Sequence, residues 1–203
     1  MREHRPVVDT ENRRRAAALA GHTGDPAGAR ALLQDPDPGV RATALGALGR
    51  LGDARDDDVR AALADPSPEV RRRGCQVGIA VSGVDLADML ADDDAGVVEM
   101  AAWALGERGE AAGDVVARLT SVAADHEDPL CREAAVAALG AIGDERGVPA
   151  ILKATRDRPA IRRRAVIALA PFSGPDVDAA LAAALEDRDW QVRQAAEDLS
   201  TDD

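Results

Sequence analysis

The stretch Asp35-Pro36-Asp37-Pro38-Gly39-Val40-Arg41-Ala42-Thr43-Ala44-Leu45-Gly46-Ala47-Leu48-Gly49, continued by Leu51-Gly52-Asp53, decides the fold, because the chain repeats it. The second copy is Asp128-Pro129-Leu130-Cys131-Arg132-Glu133-Ala134-Ala135-Val136-Ala137-Ala138-Leu139-Gly140, continued by Ile142-Gly143-Asp144. The apolar letters keep one register in both. The residue three before Val40 or Cys131 has counterparts along the whole chain: Asp9, Asp37, Ser67, Asp94, Asp128, Arg158 and Asp189. The intervals are 28, 30, 27, 34, 30 and 31 residues. Asp and Ser are good helix N-caps, since their side-chain oxygens accept the free N–H groups of a first turn. Pro38, Pro68 and Pro129 follow three of these anchors at the first helical position, where a missing N–H costs nothing.

From each anchor the pattern is helical. Three residues on stand Asn12, Val40, Val70, Val97, Cys131, Ile161 and Val192. Four further on stand Ala16, Ala44, Gly74, Ala101, Ala135, Ala165 and Ala196, and after another three or four stand Leu19, Leu48, Val77, Leu105, Leu139, Leu169 and Leu199. These positions make one apolar stripe at the helical period, with no alternation of the strand type. A Gly-containing break follows each helix. A second apolar helix is then expected, carrying Leu33, Leu63, Leu90 and Leu185, each four residues before the next anchor. One such hairpin cannot bury its apolar face alone, but a file of them makes a continuous core. The sequence therefore predicts an all-α fold: a right-handed α-solenoid (superhelix) of about six helical hairpins plus a C-terminal capping helix. The repeat domain spans 9–199, between a disordered N-terminal tail at 1–8 and a short tail at 200–203. Gly74 and Gly78 replace larger residues in the third unit and are expected to loosen or bend the stack there.

The lines at 35–53 and 128–144 resemble the HEAT repeat, and more narrowly its short form of about 30 residues named after phycobilisome lyases. The likeness covers almost the whole chain, although HEAT units usually run ~40–47 residues. It implies a scaffold or adaptor without catalytic activity. The ankyrin Thr-Pro-Leu-His is missing, and the tetratricopeptide aromatic pattern has only Trp103 to offer.

Composition narrows the partner. The 203 residues include 44 Ala, 26 Asp and one lysine, Lys153, with a net charge of −12 and three aromatic residues, Trp103, Phe172 and Trp190. An acidic chain repels phosphate, and few aromatic faces are present for stacking bases, so neither nucleic acid nor an anionic membrane is expected as a partner. A basic protein or peptide is, docked on the extended face that the second helices line. No apolar run is long enough to span a bilayer and no leader pattern stands at the N-terminus, which points to the cytoplasm. The excess of Asp and the bias of Arg over Lys also fit a salty habitat.

Arg13, Arg41, Arg71, Arg132, Arg162 and Arg193 form a column one residue after the first core position, broken only by Val98. Acidic loop residues Asp35, Asp65, Asp92, Asp125, Asp157 and Asp187 precede the anchors. Two readings are open: an Arg–Asp ladder tying neighbouring units by bidentate bonds, or a row of guanidinium forks for a carboxylate or phosphate. The ladder is favoured, because every unit has an acid nearby. Triple arginines at 13–15, 71–73 and 162–164 put Arg72, Arg73, Arg163 and Arg164 forward as candidate partner contacts. Basic grooves of HEAT-like DNA glycosylases invite comparison, but aromatic interleaving is absent here. Trp103 stands six residues after Val97, where other units carry Gln76, Ala137, Ile167 and Asp198, so it is either an interface anchor or a gap filler. Trp190 is expected to seal the last helix.

No cofactor or metal is expected. Cys131 occupies a core position and Cys75 is expected to be partly exposed. The single His126-Glu127 pair lies in a loop, whereas deoxyhypusine hydroxylase places several such pairs inside helices around iron. The enzymatic alternatives, a bilin lyase-like component or a deoxyhypusine-hydroxylase-like oxidoreductase, rest on resemblance alone.

Overall fold

The structure, a computed structural model, describes the backbone of residues 5–200 and the side chains of residues 9–200. Every described regular element is a helix. The chain divides into two compact units, residues 1–89 and 90–203.

In the first unit α1 (Arg5–Thr23), α3 (Pro38–Leu51) and α5 (Pro68–Gly78) form a row of long helices in which α3 packs against both neighbours. The shorter α2 (Pro26–Ala31) and α4 (Asp56–Leu63) pack against them, α2 on α1 and α3, and α4 on α5. In the second unit the long row is α6 (Ala95–Arg108), α8 (Pro129–Ile142), α10 (Pro159–Ala168) and α12 (Trp190–Ser200). Beside it run α7 (Val115–Asp125), α9 (Val148–Ala154) and α11 (Pro175–Leu185). The helices thus pair and stack in file, in the manner of an α-solenoid.

Local chemistry sets the ends of α3, α6 and α8, whereas Ser67 and Arg158 make no capping side-chain bond at the starts of α5 and α10. Asp37 accepts a hydrogen bond from Val40 N at 3.1 Å, Asp94 from Val97 N at 3.2 Å and Asp128 from Leu130 N at 2.8 Å. At the other end Gly52, Gly109 and Gly143 take φ values of 68°, 63° and 69°, left-handed backbone that stops the helix at little cost only in glycine. Between helices the contact is close enough to exclude side chains. A Cβ on Gly140 would stand 2.6 Å from both Cα and Cβ of Ala168, and one on Gly106 2.9 Å from Ala138 Cα. Alanine-rich helices with these gaps approach at the short end of ~8–10 Å between axes, which is why the core needs almost no aromatic residues. Val40, Leu48, Leu105, Leu139 and Leu169 are buried, as the stripe requires.

Several expectations need correction. The first long helix begins at Arg5, so Asp9 lies within it instead of capping it, while Met1–His4 of the expected tail fall outside the described residues. Asn12, Ala16 and Leu19 are exposed, because no described helix precedes α1 to cover that side. The second helix of the third unit is a five-residue 3-10 segment, Ala87–Ala91. The 27-residue interval there is the shortest of the series. Leu86 and Leu90 are buried all the same, and Gly78 makes room for Leu86, whose Cδ2 would lie 2.9 Å from a Cβ there. Trp190 seals nothing: it is 65% exposed, and the end of the stack is closed by Val192, Ala195 and Ala196 against Val166 and Ala184.

Candidate functional site

The arginine column sits where long helices meet the loops of the next hairpin. Arg41 donates through Nε and Nη2 to the two carboxylate oxygens of Asp65, both at 2.8 Å. Its Nη1 turns back to the carbonyls of Asp35 and Pro36 at 2.8 and 3.2 Å. Arg132 repeats this with Asp157 at 2.8 and 3.1 Å and with the carbonyls of His126 and Glu127 at 2.8 and 3.1 Å. Arg162 does so with Asp187 at 2.9 and 2.8 Å and the Asp157 carbonyl at 3.0 Å. Arg13 reaches Asp35 at 2.7 and 3.3 Å. Each of these arginines joins one hairpin to the next. Arg71 donates to the carbonyls of Asp65 and Pro66, and Arg193 to that of Asp187. These forks face inward, onto the protein's own loops.

The acids have a second task. Asp35, Asp65, Asp92 and Asp187 each accept the backbone N–H two residues ahead, at 2.8–2.9 Å, and so shape the turn into the following helix. Asp157 accepts from Arg158 N at 2.7 Å. The hydrogen bond from Arg132 holds the Asp157 carboxyl below the usual carboxylate range, and that from Arg162 does the same for Asp187.

Asp125 is not part of this network. It is exposed and meets Lys153 Nζ at 3.2 Å. The turn position belongs to His126, whose Nδ1 accepts from Asp128 N at 3.1 Å. The preceding long helix carries Val98 where its counterparts carry arginine, so a carboxylate at this turn would have met no fork. Arginine and aspartate are missing together from one rung.

The sequence places the docking face on the second helices, but the groove beside Trp103 is lined by the long helices α6, α8 and α10. Trp103 is 43% exposed and, with Glu99, Met100, Leu130 and Glu133, lines an open groove of about 560 Å3 floored by Ala134, Ala137, Ala138 and Ala141. Ala137, Ala141 and Arg164 also line the adjoining groove, about 550 Å3, which continues past the exposed Ile167 to Pro171. Arg164 stands 3.6 Å from Glu133. Trp103 and Arg164, both proposed from sequence, therefore border one groove. Sequence reasoning missed Leu130 and the pair Glu99 and Glu107. The available signal was their spacing, four residues on either side of Trp103 on one helix face.

The other candidate arginines lie elsewhere. Arg72 and Arg163 are exposed and, among the described residues, pair with no carboxylate. Arg73 lies over Gly46 and donates to Gln76 at 2.5 Å; burial and the charges of Arg72 and Arg50 pull its pKa down. Both cysteines are buried, which corrects the expectation for Cys75. Burial, with Asp128 and Glu99 nearby, pushes the Cys131 thiol up to about 11.

The family profile for HEAT repeats matches residues 8–80, 84–160 and 116–199. The chain belongs to the HEAT-repeat family. A search of curated protein sequences found no match. Among solved structures, YibA of E. coli is similar with a TM-score of 0.65 and 18% identity, over 97% of this chain and 75% of that one. An engineered protein follows at 0.58 and 18%, over 91% and 61%. A designed armadillo repeat protein in complex with the peptide (KR)4 gives 0.52 and 15%, over 98% and 95%. At these identities the likeness to solved structures concerns the fold. The HEAT match does not single out the phycobilisome-lyase subtype. No helix among the described residues is long and apolar enough to cross a membrane.

Proposed function

We propose that this HEAT-repeat chain is a non-catalytic scaffold of the cytoplasm that docks a protein or peptide of basic character on the outer face of its long helices. The observation that carries the reading is the open groove beside Trp103, on a row of helices whose later rungs are held by the Arg132–Asp157 and Arg162–Asp187 bonds. Such a surface is ordered before its partner arrives, so little conformational entropy is lost on docking. The net charge of −12 favours a basic partner and repels acidic ones. The armadillo relative seen with an alternating Lys-Arg peptide makes that peptide a fitting probe.

On this reading the column Arg41, Arg71, Arg132, Arg162 and Arg193 is structural, while Arg72, Arg73, Arg163 and Arg164 are candidates for partner contact. No group of three or more His, Cys, Asp or Glu residues among those described is placed to hold a metal ion, and no observation favours the lyase or hydroxylase alternatives. Calorimetric titration of the full chain with the Lys-Arg octapeptide and with a Glu-rich octapeptide tests the proposal. Binding of the first and not the second supports it. Binding of neither, or an absorbance change on adding a bilin, would overturn it.

A further inference from the structure

The groove between α6 and α8 has a feature that a general acidic surface does not need. Glu99, Trp103 and Glu107 follow one another at four-residue spacing along α6, and all three are exposed. An indole face thus stands between two carboxylates on one ridge, with the alanine floor of α8 beside it. Glu133 adds a third acid across the groove, and its 3.6 Å approach to Arg164 is too long for a hydrogen bond. The lining holds three carboxylates against one guanidinium.

An indole attracts a cation over its face, and planar guanidinium both stacks on it and presents N–H donors at its edges. Carboxylates in reach of those edges accept them in pairs, which a rounded ammonium cannot match. The cavity volume lies within the roughly 300–1,000 Å3 of clefts that hold ligands. We infer that the α6–α8 groove is an arginine seat: a partner's guanidinium stacks on Trp103 and is gripped by Glu99 and Glu107, with Met100 and Leu130 covering its methylene stem. The inference rests on the scaffold reading and narrows its partner to a segment that presents arginine.

The test uses the full chain with octa-arginine, octa-lysine and octa-citrulline, the last keeping the shape of arginine without its charge. Trp190→Phe leaves Trp103 as the sole fluorophore. Octa-arginine is expected to change its fluorescence, and octa-citrulline to leave it unchanged. Measured by calorimetric titration, Trp103→Ala should weaken octa-arginine binding about tenfold. Glu99→Gln with Glu107→Gln should weaken it by a similar factor, while Glu110→Gln with Glu127→Gln, which removes the same charge elsewhere, should cost less than twofold. All four glutamates are exposed, so the melting temperatures of the two glutamine variants should be unchanged.

Octa-arginine binding that survives both groove variants would overturn the seat and leave the scaffold reading standing. Equal binding of octa-lysine, lost in the same variants, would overturn the arginine preference. Self-association that disappears in Trp103→Ala would make a second copy the occupant and also overturn the seat. If neither octa-arginine nor the alternating Lys-Arg peptide binds, the seat and the basic-partner reading fall together.

Discussion

Truncating Arg132 to alanine measures how much the bonds between hairpins contribute to the stack. The change removes two bonds to Asp157 and two to the carbonyls of His126 and Glu127. The side chains of Arg132 and Asp157 are only 14% and 23% exposed, so water replaces little of what is lost. Hydrogen bonds to charged groups contribute ~1.5–3 kcal/mol each but do not add, and breaking a buried pair costs about 3–5 kcal/mol. Partial exposure places this pair at the lower end, about 3 kcal/mol. At roughly 2–4 °C per kcal/mol for a chain of this length, Tm should fall by about 6–12 °C. Urea unfolding followed by far-UV circular dichroism supplies the free energy independently. Arg132→Lys should recover part of the loss, since it keeps the charge and forfeits the fork. Arg163→Ala, next to the Arg162 rung but exposed, should stay within about 0.5 kcal/mol of the wild type. Equal Tm values for Arg132→Ala, Arg163→Ala and the wild type would refute the structural role of the column and return these forks to ligand binding.

Three further outcomes follow from the same contacts. Gly140→Ala should cost about 1–3 kcal/mol in urea unfolding, because its Cβ would stand 2.6 Å from the Ala168 backbone and the helices must move apart. The carboxyls of Asp157 and Asp187 are held below their ordinary range, so the unfolded chain takes up protons first as pH falls. Their contribution is complete above about pH 4 and declines below it, and the gap between wild type and Arg132→Ala should narrow in unfolding measured near pH 3. Val98→Arg alone should destabilise, since Val98 is 1% exposed and the new charge meets no acid. Adding His126→Asp should restore at least about 1 kcal/mol, read as the coupling in a double-mutant cycle.

Much of the fold is legible in the chain itself because each hairpin is a local object. The caps at Asp37, Asp94 and Asp128, the stops at Gly52, Gly109 and Gly143, and the stripe from Val40 to Leu48 depend on residues within about a dozen positions of one another. The inward arginine is also visible there as a column beside an acid. What a period cannot show is how a unit shorter or differently spaced than its neighbours adapts. Ala87–Ala91 forms a 3-10 segment in the shortest interval of the series, and Cys75 is buried although Gly74 and Gln76 flank it.

The groove beside Trp103 lies at the far end of the same distinction. The period assigns Trp103 to no fixed environment, and only the packing of α6 against α8 leaves it at an open edge with Glu99, Glu107 and Leu130. The substitution of His126 for the acid of a rung likewise makes sense only beside Val98, 28 residues away in sequence and one hairpin away in space. Covalent order determined the helices, their ends and the repeat, since those depend on backbone hydrogen bonds and short-range burial. Tertiary packing decided which exposed side chains share a surface, since that depends on the distances between helices, which side-chain volume across the interface sets.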